Sequence, residues 1–413
     1  MPACLICKTE ISPFLSFGRM PIANGFLTPD RFDDEYFFEL AVAHCPKCSM
    51  VQLTELVDRE RMFHEHYAFF SSTSAWMQRH FGLFAGWVLE NWIRDRDPFV
   101  VEIGSNDGIM LRHFADRGIR HLGIEPSANV AEVARGRGVR TTTEFFDENL
   151  ARRILEDNGP ADAFLGANVM CHIPYMHSVV AGIRLLLKPK GVLVFEDPFL
   201  GDIIERTSYD QIYDEHAFYF SLGSLSHLFR MHGMEIVDVL PQEVHGGSMR
   251  YVVALEGAHP VRDSVHALAA REAALGLQTA ECYARFRRNV EQSRDALMAL
   301  LRRVRGERKR VAGYAATSKS ATVTNYCGIT PELVEFISDT TPIKQGKFSP
   351  GVHIPVRPHE DFAANYPDYA LLFGWNHRKE ILEKETAFRE SGGPLFDHHL
   401  VDGRRRKVRI EAP

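Results

Sequence analysis

No run of apolar residues in this chain approaches the roughly 20 needed to cross a bilayer, so the sequence predicts no membrane partner for its 413 residues. An excess of positive charge is also missing. The 48 Lys and Arg stand against 54 Asp and Glu, a formal net charge of −6. Nucleic-acid binders draw much of their affinity from surplus Lys and Arg that neutralise phosphates, and the balance here predicts no such partner. Met1-Pro2-Ala3-Cys4 lacks the basic and apolar regions of a signal peptide, so a cytoplasmic location is expected. Cysteine is scarce, at seven residues. In a reducing compartment those residues are free thiols or metal ligands, not disulfides. A chain of this length, 45% hydrophobic and 25% charged, buries large cores without staples and has room for two or three domains.

Because cysteine is scarce, its placement is informative. Four of the seven form two C-x-x-C pairs, Cys4/Cys7 and Cys45/Cys48. Each pair can clamp one edge of a tetrahedral Zn²⁺, with the residues between them as the body of a zinc-ribbon-like module. A thioredoxin-like redox pair would need a βαβ surround, which neither pair has. Four thiolates leave no open coordination position, so the zinc is expected to be structural. Cys171, Cys282 and Cys327 are scattered and read as small buried apolar side chains.

From Pro98 the texture changes to buried strands alternating with amphipathic helices, the pattern of a parallel α/β sheet. The run Phe99–Gly104 is followed by Ser105-Asn106-Asp107-Gly108 and a helix-like segment. A second strand, His121–Glu125, ends in a carboxylate suited to both hydroxyls of a ribose. A dinucleotide site would prefer G-x-G-x-x-G, but here Glu102 precedes Gly104, with Asp107 and then Gly108 following. Acidic groups there would repel a pyrophosphate and suit a sulfonium. The turn resembles motif I of class I S-adenosylmethionine-dependent methyltransferases. Further strands at Ala163–Val169 and in Leu186–Phe195, and a hairpin through His245-Gly246-Gly247, follow the order of that fold. The residues expected around the methyl donor are Glu102, Gly104, Asn106, Asp107, Gly108, Glu125, Pro126, Phe145, Phe146 and Asn168.

Between the fifth strand and the hairpin, Tyr209–Tyr219 concentrates ionisable and phenolic side chains. Ligands of open α/β sheets bind beyond the carboxyl ends of the strands, so this segment should overhang the donor. His216 beside Glu215 is a plausible general base; the plainer alternative is a polar loop bonded to itself. Farther on, Val261–Arg310 has helical periodicity, and its arginines read as a solvated face. A strand then leads into Thr317-Ser318-Lys319-Ser320, a turn suited to phosphates through free backbone N–H groups and the lysine. Two more strands end at Asp339 and near Asn376, as in a second, smaller α/β domain. The expected substrate contacts are Thr317, Lys319, Ser320, Asn325, Asp339 and Asn376, with Lys344 and His353 as secondary candidates. The alternative is a packing domain. Arg404–Lys407 carry no assigned role.

With C-x-x-C, H-C-P-K-C-S-M-V-Q-L, V-E-I-G-S-N-D-G-I-M-L, I-Y-D-E-H and S-K-S-A-T-V-T-N in this order, the chain resembles the zinc-containing deoxysugar C-methyltransferases of the tetronitrose C-3 type. The resemblance implies that Tyr213, Glu215 and His216 line the active site, with His216 the favoured base. It also implies that Tyr67 and His172 join them. It further implies an α/β protein of three parts: a zinc-binding module (1–66), a class I methyltransferase domain with a doubly wound Rossmann-like sheet (67–257), and a helical connector with a smaller Rossmann-like domain (258–413). The cofactors are then S-adenosylmethionine and structural zinc, and the substrate a nucleotide-linked, dTDP-type 4-keto-deoxysugar methylated at C-3 by a monomer. The alternatives are methylation at C-5, or a non-catalytic zinc-ribbon protein with a degenerate methyltransferase core.

Overall fold

The computed structural model describes residues 2–58 and 71–401. Tyr67 and the basic tail at 404–407 lie outside the described residues.

Strands β1 (Pro13–Pro21), β2 (Phe37–His44) and β3 (Val51–Leu53) form an antiparallel sheet beside the cysteine pairs. The central sheet is built on β4 (Phe99–Ile103), β5 (Arg120–Ile124), β6 (Thr141–Thr142), β7 (Ala161–Ala167) and β8 (Leu187–Pro198). The run Phe-Val-Val-Glu-Ile of β4 is buried at every position. Near-continuous apolar strands are what a parallel sheet with both faces covered requires. Strand β9 (Phe218–Tyr219) pairs not with this sheet but with β3, closing the first sheet. β10 (Met234–Gln242) and β11 (Ser248–Leu255) add an antiparallel edge, giving the order β10-β11-β8-β7-β4-β5-β6. The chain runs outward through β5 and β6 and then returns to place β7 on the other side of β4. Ligands of such sheets sit at the carboxyl ends of the strands flanking this reversal.

Two helices, Asp263–Leu275 and Ala280–Gly306, connect to β12 (Val311–Tyr314), β13 (Ile337–Ser338), β14 (Val356–Arg357), β15 (Tyr369–Leu372) and β16 (Leu395–Phe396). Their parallel order, β14-β13-β12-β15-β16, reverses at β12 just as the larger sheet reverses at β4. The strand expected to end at Asp339 begins only at Ile337, because Val334 N–H bonds to the Thr330 carbonyl in the turn around Pro331.

Candidate active site

The two cysteine pairs meet. Cys4 Sγ lies 3.5 Å from Cys48 Sγ, and Cys7 Sγ lies 3.3 Å from Cys45 Sγ. All four sulfurs are within 4.8 Å of one another. The two knuckles share one backbone plan: Lys8 N–H bonds to the Cys4 carbonyl and Ser49 N–H to the Cys45 carbonyl. Lys8 and Ser49 both have positive φ, at 60° and 58°. A Zn²⁺ bound by thiolates at about 2.3 Å fits that spacing and that donor set.

At the carboxyl end of β4 the backbone turns sharply, with Gly104 at φ +62° and Gly108 at φ +79°. Asn106 and Asn168 also adopt positive φ, 48° and 52°, a costly conformation that clusters at functional sites. Glu125, at the end of β5, accepts N–H bonds from Asn106 at 3.0 Å and Ser127 at 2.8 Å. Glu102 Oε2, Ser105 Oγ, Asp107 Oδ1 and Asn168 Oδ1 are buried without hydrogen-bond partners. An unmatched buried polar atom costs about 1–3 kcal/mol, so such a group is suited to a ligand rich in donors. The ammonium and ribose hydroxyls of S-adenosylmethionine are such donors, and the residues fit it.

Two details depart from the sequence reading. The turn is less acidic than its letters suggest, because Asp107 pairs with Arg137 at 3.0 Å and burial raises the Glu102 carboxyl well above its ordinary range. Phe146 is a core side chain tilted against Phe164, with ring centroids 4.9 Å apart.

Beyond β8, the Tyr209–Tyr219 segment is buried over the strand ends and not a solvated loop. His216 Nδ1 lies 2.8 Å from the Gln211 carbonyl. A carbonyl only accepts, so Nδ1 carries the proton and Nε2 keeps its lone pair. The Tyr213 ring is 4.2 Å from His216 and the His172 ring 5.2 Å. Burial, then His172, hold the His216 imidazole well below its usual range, while burial brings His172 to about 4. Both rings are therefore neutral at physiological pH. Glu215 accepts from the Asn24 amide at 2.7 Å, and Asp214 accepts the Ala23 N–H at 2.9 Å. Burial raises both carboxyls, Asp214 to about 7.

In the smaller sheet, six predicted residues come together at the end of β12. Thr317 Oγ1 caps its helix by accepting the Ser320 N–H at 3.2 Å. Asp339 accepts the Ala316 N–H at 2.7 Å, and Lys344 Nζ donates to the Ala316 carbonyl at 2.7 Å. Lys319 Nζ donates to Asn376 Oδ1 at 3.2 Å and to the His245 carbonyl at 3.3 Å, reaching the methyltransferase hairpin. Asn325 and His353 do not join this cluster. Asn325 is held by the Ala321 and Pro350 carbonyls. His353 stacks on Phe32 and bonds Glu35 in the N-terminal module.

Several neighbours escaped the sequence reading. Cys171 is buried in the core as expected, and its sulfur also groups with His172 and His216 within 4.8 Å. Asp197 is fully buried beside Cys171, and burial pushes its carboxyl up to about 8. Asn24 belongs to an Asn-Gly turn of the zinc module, and His245 to the hairpin loop, where it has φ +53°. The available signals were the turn in P-I-A-N-G-F and the H-G-G that closes the hairpin at the sheet's carboxyl edge.

Comparison with known proteins gives three family-model matches. Residues 4–63 match a zinc binding domain, 75–239 a methyltransferase domain, and 243–397 a C-methyltransferase C-terminal domain. The C-methyltransferase NovU of Streptomyces niveus is 36% identical over 393 residues, 94% of this chain and 93% of that protein. Among solved structures, magnesium protoporphyrin IX methyltransferase from Synechocystis with bound S-adenosylmethionine is 13% identical, covering 44% of this chain and 79% of its own, at TM-score 0.33. An S-adenosylmethionine-dependent methyltransferase from Clostridium acetobutylicum is 12% identical, covering 45% and 94%, at TM-score 0.34.

Proposed function

The chain belongs to the zinc-containing, S-adenosylmethionine-dependent C-methyltransferases, and from that premise we propose that it methylates C-3 of a nucleotide-linked 4-keto-deoxysugar, a dTDP sugar by the motif resemblance. The observation that carries this reading is His216, a buried neutral imidazole whose single N–H is committed to the Gln211 carbonyl.

Carbon is a poor nucleophile, and a C–H beside a ketone must lose its proton before it can accept a methyl group. His216 Nε2 has the lone pair to take that proton, and Tyr213 is placed beside it to donate to the forming enolate oxygen. S-adenosylmethionine supplies the electrophilic methyl. Glu102, Asn106, Glu125 and Asn168 are the groups we assign to holding it at the ends of β4, β5 and β7. A protonated His216 would be a strong acid in this site, so the proton it takes must leave it again before the next turnover. Across the seam, Lys319, Lys344 and the capped turn at Thr317 supply the cations and amides suited to a diphosphate. Thr317, Ser320, Asp339 and Asn376 are assigned with them to the nucleotide.

The test incubates the protein with S-adenosylmethionine and a panel of nucleotide-linked 4-keto-deoxysugars. Mass spectrometry is expected to find one added methyl and NMR to place it at C-3. A methyl found at C-5 would move the regiochemistry, and methylation of a protein or nucleic acid in place of any sugar would sink the reading.

A further inference from the structure

One cluster of metal-ligating side chains has no part in methyl transfer as described. Asp210 lies in the loop Tyr209–Gln211 above the central sheet, and His398 and His399 follow β16 at the far end of the smaller domain. Asp210 Oδ1 lies 3.3 Å from His398 Nε2 and 3.8 Å from His399 Nε2. The side chains are 1% exposed for Asp210 and His398 and 15% for His399. All three ligand atoms lie within 4.8 Å of one another, and outside the cluster none of them meets a well-aligned hydrogen-bond partner. Buried polar atoms are nearly always well matched, so three potential ligand atoms that have only one another for partners need an explanation.

Ligand atoms bound at about 2.0–2.2 Å to one ion stand roughly 3–3.6 Å apart, close to the spacing found here. The surroundings also suit a metal. The Trp375 indole N–H donates to the other Asp210 oxygen at 2.5 Å, leaving Oδ1 for the ion. Asp397 Oδ1 lies 3.4 Å from His399 Nδ1, so it can hold that nitrogen's proton and present Nε2 as the ligand. Asp397 is itself anchored by Arg378 at 3.2 Å. The nearby Lys319 ammonium is engaged by Asn376 and the His245 carbonyl.

We propose that Asp210, His398 and His399 form a second metal site, for a divalent ion of the zinc class, distinct from the four-cysteine centre. The ligand set is two imidazoles and one carboxylate, which suits Zn²⁺ or Co²⁺ and leaves a coordination position for water. An ion there fastens the Tyr209–Gln211 loop to the end of the smaller domain. Gln211 is the next residue after Asp210, and its carbonyl fixes the His216 tautomer. The metal thus acts as a positioning device for the base, away from the reacting atoms.

The test is metal counting on the full chain. Protein loaded with Zn²⁺ and desalted is expected to hold about two ions per chain, and the double variant His398→Gln/His399→Gln about one. Co²⁺ competed into the wild-type site should give weak visible ligand-field absorption without the intense near-ultraviolet band of a thiolate complex. This second readout needs no variant to fold. A wild-type chain that holds about one ion and gives no such cobalt signal overturns the proposal, as does a double variant that retains both ions.

Discussion

His216 owes its tautomer to one backbone carbonyl and its neutrality to burial. Replacing it with Asn removes the lone pair and preserves much of the shape. Turnover should fall at least about 100-fold, the usual contribution of a general base. Calorimetric affinity for S-adenosylhomocysteine should stay unchanged, and near-normal turnover would pass the base role to Glu215. Asp197 gives a second residue-scale prediction. Its folded carboxyl is raised from the ordinary 3.8 to about 8. Between those values the unfolded chain has released the proton that the folded chain keeps. The stability this contributes is full below pH 3.8, declines as pH rises, and is gone above about 8. Asp197→Asn carries no such burden. Its melting temperature relative to wild type should therefore climb from pH 5 to pH 8, by at least about 2 °C. A constant difference across that range would mean the carboxyl is ionised throughout.

The glycine turn after β4 shows what an element contributes beyond its residues. A Cβ at Gly104 would stand 2.7 Å from Val169 Cγ2, at a backbone φ of +62°. Gly104→Ala should therefore weaken S-adenosylhomocysteine binding at least about tenfold, through a left-handed backbone cost of about 1–2 kcal/mol plus the clash. Adding Val169→Ala should restore part of the affinity in calorimetry, because it relieves the clash and leaves the backbone cost. Full recovery would show that the backbone cost is negligible. Elements of this kind were legible in the sequence because their signals are local: cysteine spacing, a glycine turn after an apolar run, a threonine ahead of a helix. Asn24, Asp197 and His245 were not legible, since each acts on groups far away in sequence. Asn24 meets Glu215 across 191 positions, and no periodicity records that meeting. Asn325 and His353 stand apart from the Thr317 cluster for the same reason. Their motifs were clear, but the partners that claim them, Pro350 and Glu35, are set only by the fold.

At the scale of the whole molecule, the zinc module is part of the active site's frame. It supplies Asn24 to Glu215, the Ala23 N–H to Asp214, and β3 to β9. Stripping the zinc with a chelator should therefore lower turnover as well as the melting temperature, and re-added Zn²⁺ should restore both. Full activity in a chain shown to be zinc-free would make the module dispensable. The smaller domain is seated just as closely. A Cβ on Gly246 would run into the Trp375 ring at a φ of +86°, so Gly246→Ala should raise the KM for the proposed nucleotide-sugar substrate more than it lowers kcat.

The pairing of β3 with β9 also has a meaning in time. Val51 leaves the ribosome early, but its partner Tyr219 emerges only after most of the central sheet has been made. At about 5–20 residues per second, the first sheet waits many seconds for its last strand. Through that interval β3 is an open edge, a template for any passing chain. All four cysteines are made before that interval begins, so a zinc ion bound by them would hold the waiting module in shape until the strand arrives.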